Sequence, residues 1–121
     1  MSLDVYLEEL VYECEYCGAK LKHPARESIW VGNITHNLVN MALQAGVYEG
    51  IWHPEKRGIE KASQLIDILG EAISHMREKP DIYKKHNPKN AWGDYDGFLN
   101  FLVDYYHECR EHPDAKIKVH L

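Results

Sequence analysis

The chain has 121 residues, enough for one domain that buries its own core. Its 45% hydrophobic and 27% charged residues exclude a disordered or low-complexity chain. With 14 basic and 19 acidic residues the formal charge is -5, which argues against a nucleic-acid binder, since such proteins need cationic surface to displace counterions from phosphates.

No run of residues approaches the roughly 20 apolar positions of a membrane span. Met1–Val11 carries acidic side chains and lacks the apolar centre of a signal peptide, so the expected location is the cytoplasm. Three cysteines are an odd number for a disulfide framework, and thiols or metal ligands are the expected states.

In chain order, Leu3–Tyr12 alternates apolar Leu3, Val5 and Leu7 with polar Asp4 and Glu8, the pattern of a strand with one buried face. Cys14-Glu15-Tyr16-Cys17-Gly18 turns the chain, and Lys20-Leu21-Lys22 returns as a short strand that His23-Pro24 breaks. Ser28–Gly32 forms a further short strand. A helix begins near Asn33 or Thr35, either of which can accept from first-turn amides, and Gly46 ends it. Val47–His53 is a short amphipathic stretch closed by Pro54. A second helix carries Ile59, Ala62, Leu65, Ile66, Leu69, Ala72, Ile73 and Met76 on one face and stops at Pro80. Gly70 within it marks a close helix contact. Pro80–Gly93 reads as a loop. Asp94 or Asp96 caps a third helix, whose stripe is Tyr95, Phe98, Leu99, Leu102, Tyr105, Tyr106 and Cys109. Ala115–Leu121 alternates again as a closing strand. The expected fold class is α+β: one domain, with a small antiparallel sheet from the two termini packed against about three helices.

Four segments carry candidate chemistry. The C-x-x-C pair with a following glycine resembles half of a zinc knuckle, which Cys109 and His112 would complete as a structural zinc site on Cys14, Cys17, Cys109 and His112. His23 and His107 are rival ligands, and the plainer alternative is two free thiols with Cys109 a small core residue. Asn33-Ile34-Thr35-His36-Asn37 gathers amides, a hydroxyl and an imidazole at a helix start, where they can cap the helix or hold a polar ligand. Trp52-His53-Pro54-Glu55 can line a pocket, or bury the tryptophan while the rest caps the next segment. Asn87–Asp96 is a polar, aromatic loop of the kind that carries function, although its aspartates lack EF-hand spacing and suit capping better. P-loop, dinucleotide, H-E-x-x-H and nucleophile-elbow patterns are absent from the sequence.

Asn33-Ile34-Thr35-His36-Asn37-Leu38, Met41-Ala42, Gly46-Val47-Tyr48, Trp52-His53-Pro54-Glu55 and Asn87-Pro88-Lys89-Asn90-Ala91-Trp92-Gly93-Asp94-Tyr95 together resemble a family of small uncharacterised bacterial and phage proteins. The likeness runs from Asn33 onward, with Asn90-Ala91 where related chains carry Asn-Gly. It implies a prokaryotic or prophage setting and marks the first helix start and the 87–95 loop as special surfaces. The expected function is a non-enzymatic accessory protein that binds a partner protein or a small polar ligand through His36, Asn37, Asn40, His53, Asn90 and Trp92. The alternative is a metal-dependent hydrolase of a nucleotide or phosphoester, with His36, His53 and Asp94 as ligands or general base.

Overall fold

The structure is a computed structural model that describes the backbone of residues 2–13, 19–90 and 92–121 and, outside 11–13 and 21–26, their side chains. Strand β1 (Ser2–Glu13) pairs antiparallel with β2 (Lys20–Thr35) on one side and with β3 (Lys116–His120) on the other, in the order β2-β1-β3. Between the strands lie α1 (Val39–Ala45), α2 (Tyr48–Trp52), α3 (Ile66–Glu78), α4 (Pro80–Lys84) and α5 (Tyr95–Glu111), with single 3₁₀ turns at His36–Leu38, Pro54–Arg57 and Ala62–Gln64. The α+β class and the terminal sheet expected from the alternation are those observed.

Alternation decides which face of the sheet is covered. Leu3, Val5 and Leu7 are fully buried, as is the inner face of β2 at Gly32 and Ile34. Asp4, Tyr6 and Glu8 alternate with them and lie half-buried on the opposite face, beside exposed Lys116, Lys118 and His120 of β3. The helices cover the inner face, and α5 supplies Tyr95, Phe98, Phe101, Leu102, Tyr105 and Cys109. Trp30 of β2 stacks on Tyr105 at a centroid distance of 5.0 Å, and Phe101 meets Tyr105 edge-on at 5.8 Å. Burying a side chain of this size stabilises the fold by about 2–3 kcal/mol, so this aromatic layer is a principal bond between sheet and helix.

The structure corrects three boundaries. β2 is continuous from Lys20 to Thr35, whereas two short strands broken at His23-Pro24 were expected. Pro24 falls in the register shift between Val11↔Ala25 and Glu13↔Lys20, on a strand with one neighbour among the described residues, so its missing N–H costs the ladder little. The second helix starts at Ile66, after a 3₁₀ turn whose entry Gln64 fixes by accepting from the amides of Glu60 and Lys61. Pro80 does end α3, but it also opens α4 in the first helical position, where no N–H is needed, so the expected 80–93 loop is partly helical.

Pro80 has a further effect. It cannot donate to the carbonyl of Met76, four residues back, and the Tyr95 hydroxyl donates to that carbonyl instead at 2.6 Å. Tyr95→Phe is therefore expected to cost about 1–2 kcal/mol, read as a lower urea midpoint, because it strands a buried acceptor. Tyr105→Phe is the control. The Tyr105 hydroxyl is buried without a partner among the described residues, so its removal is expected to be neutral or stabilising.

Gly70 meets its expectation. A Cβ there would stand 3.2 Å from the Tyr106 ring, and the glycine lets α5 approach α3 closely.

Candidate functional site

The first helix start is built as a cap. The Thr35 hydroxyl accepts from the Asn37 amide at 3.3 Å, the chain enters a 3₁₀ turn, and α1 follows until Gly46 at φ 76°. The Asn87–Asp96 loop is built the same way. Asn87 accepts from the Tyr95 amide at 2.8 Å, Asn90 accepts from the Trp92 amide at 3.0 Å, and Asp94 caps α5 through the Gly97 amide at 2.7 Å. Asp94 is spent on that cap, as its position suggested.

These two segments meet. Gly93 has φ 99°, and a Cβ on it would lie 2.7 Å from Thr35 Cγ2 and 3.1 Å from Leu38 Cγ. The loop is thus seated on the first helix start at a point only glycine fits. Beside the contact lies an open groove of about 520 Å³ lined by Ser2, Asn33, Thr35, Asn37, Asn90 and Trp92. Trp92 is 71% exposed, unlike every other tryptophan-sized group of the fold, and stands at the groove with nothing packed over it among the described residues.

Of the six ligand-binding residues expected, the groove collects Asn37, Asn90 and Trp92. His36 turns away: its Nδ1 accepts from the Trp52 indole N–H at 2.9 Å. Since an indole only donates, the His36 proton resides on Nε2. Trp52 is 2% exposed and stacks on Tyr48 at 5.6 Å, and Tyr48 meets His53 edge-on at 5.6 Å. His53 Nδ1 lies 3.5 Å from Glu55. The Trp52–Glu55 motif therefore packs, with His53 ending α2 through its backbone N–H to the Glu49 carbonyl and making no side-chain cap on the next turn, and it takes His36 into its own cluster. Asn40 is exposed on α1 outside the groove. Ser2, Asn33 and Thr35 are lining residues that the expected set omitted. The register Ser2↔Thr35 and Asp4↔Asn33 places all three at one corner of the sheet, which a single strand's pattern does not reveal.

The metal residues are dispersed differently. Cys14 and Cys17 lie outside the described residues. Cys109 is fully buried on α5, while half-exposed His112 lies 3.2 Å from Glu9 and 3.8 Å from Glu108. Glu9 sits four residues before Glu13, where the described part of β1 ends, so about 13 Å of strand separate the His112 contact from that end. Among the described residues no three of His, Cys, Asp and Glu stand close enough to hold a metal ion, and His36, His53 and Asp94 are each engaged with a different neighbour.

Burial pushes the Cys109 thiol up to about 12, with Glu108 adding to the shift. The unfolded chain therefore loses this proton first, near 9, and the stability tied to the neutral thiol is present below that pH and lost between 9 and 12. Stability is expected to fall by about 2 kcal/mol from pH 9 to pH 10.5 in urea titrations, and Cys109→Ala is expected to flatten the pH 9–10 part of that slope.

Comparison with protein-family models, with curated proteins and with solved structures finds no match to the chain. Among the described residues no helix is long and apolar enough to cross a membrane.

Proposed function

We propose that the protein is a binding protein rather than a catalyst, and that it takes a small polar ligand in the groove beside Trp92. The observation that carries this reading is the exposed indole at a depression whose other lining side chains, among the described residues, are all hydroxyls and amides. A volume of about 520 Å³ lies within the range of small-molecule sites, about 300–1,000 Å³. The walls come from three separate parts of the chain: the sheet corner, the first helix start and the 87–95 loop. Each is held by local hydrogen bonds, so the groove is formed before a ligand arrives and binding needs little reordering.

The test is a fragment screen by saturation-transfer NMR on wild type and Trp92→Ala. Binders are expected that shift the side-chain amides of Asn37 and Asn90 and that are lost in the variant. A screen whose binders all leave those amides and the Trp92 indole unshifted overturns the reading.

A further inference from the structure

We infer that the ligand class of the Trp92 groove is an uncharged saccharide. This rests on the groove reading above and narrows it. Each lining group has hydrogen-bonding capacity left over for a ligand. Asn33 donates its amide hydrogens to Ser2 at 3.1 Å and to Asp4 at 2.7 Å, which leaves its carbonyl oxygen as an acceptor. Asn90 uses its carbonyl oxygen on the Trp92 amide, which leaves its NH₂ as a donor. Ser2 and Thr35 each accept one bond, which leaves each hydroxyl its hydrogen to donate. The Asn37 side chain makes no hydrogen bond among the described residues, so it keeps both a donor and an acceptor.

Donors and acceptors are thus mixed within one small surface. An anion would use donors alone, and a cation acceptors alone. A hydroxyl gives one bond and takes others, and neighbouring hydroxyls on a sugar ring match the paired C=O and NH₂ of an asparagine. Among the described residues no Lys, Arg, Asp or Glu lines the groove, so a charged ligand would meet no opposite side-chain charge from them. Phosphates and nucleotides are disfavoured on that ground. The single exposed indole offers a flat apolar plane for the C–H face of a sugar ring. A nucleobase has two flat faces to cover, and the Trp92 indole is the one aromatic group in the lining among the described residues.

The experiment is a ¹H–¹⁵N NMR titration with three panels: neutral oligosaccharides of glucose, galactose and N-acetylglucosamine; uncharged nucleosides; and inorganic phosphate. Oligosaccharides are expected to shift the Trp92 indole and the Asn37 and Asn90 side-chain amides, with affinity unchanged between 0.01 M and 0.5 M salt, where the Debye length falls from about 30 Å to about 4 Å. Trp92→Ala is expected to weaken binding roughly tenfold or more, and Trp92→Phe to restore part of it. Asn37→Ala, at an exposed position, is the second variant and is expected to weaken binding without moving the melting temperature. Nucleosides or phosphate shifting these signals while saccharides do not overturns the saccharide inference and leaves the groove reading standing. Silence from all three panels at millimolar ligand overturns the saccharide inference, and the fragment screen then decides the groove by itself.

Discussion

Gly93→Ala is expected to cost about 3 kcal/mol and to abolish ligand binding at the groove together. Two effects add. The backbone at φ 99° is a conformation that side chains other than glycine's rarely adopt, at a cost of about 1–3 kcal/mol. The new methyl would also overlap Thr35 Cγ2 and press on Leu38, which is 1% exposed and has no room to retreat. The cheapest relief is to lift the 87–95 loop off the first helix start, and that motion carries Asn90 and Trp92 away from Asn37. Urea melts give the first number and NMR titration the second. A variant that loses 3 kcal/mol yet binds as well as wild type would show that the loop's seat and the groove are independent.

Gly32→Ala is expected to cost about 2–3 kcal/mol, with a specific signature in a double-mutant cycle. The Trp30 indole lies directly over Gly32, and a Cβ there would run into that indole and stand 2.9 Å from Phe101 Cε2. Trp30 cannot swing aside without leaving Tyr105, on which it stacks. In a Trp30→Ala background the methyl meets open space on that side, so the same substitution is expected to cost less by about 1–2 kcal/mol. Equal costs in the two backgrounds would place the strain at Phe101 instead.

Both glycines illustrate what the sequence conveys and what it leaves out. Local rules were legible residue by residue. Leu3, Val5 and Leu7 declared a buried strand face, the caps were narrowed to Asn33 or Thr35 and to Asp94 or Asp96, of which Thr35 and Asp94 accept the bonds, Gly46 declared a helix end, and the alternation after Ala115 declared the closing strand. Each is set by neighbours within four residues. Pro24 does not break β2 because a proline's effect on a strand depends on whether the N–H it lacks would have met a partner, which is a property of the sheet. Phe101 lies outside the expected α5 stripe although it stands three residues after Phe98 and four before Tyr105: the buried face is turned toward Phe101, where Trp30 packs, and away from half-buried Leu99 and Tyr106. The site divides the same way. The Asn33–Asn37 and Asn87–Asp96 segments stand out by composition, but their meeting depends on Gly93 packing against Thr35. That His36 belongs with Trp52 rests on a hydrogen bond between residues 16 positions apart, and spacing does not encode it.

The sheet order β2-β1-β3 has a consequence for how the chain is made. β1 is central, yet one of its two neighbours, β3, follows all five helices in the chain and is synthesised after them. At about 5–20 residues per second, the β1–β2 hairpin waits roughly 4–17 s before Lys116–His120 exists to pair with Asp4–Glu8. Through that interval the backbone groups of β1 on its outer side are an open edge, and Leu3, Val5 and Leu7 have only part of their cover. The acidic residues interleaved on that strand, Asp4, Glu8 and Glu9, then serve a nascent chain as much as a finished one, because like charges on an open edge discourage two such chains from pairing with each other.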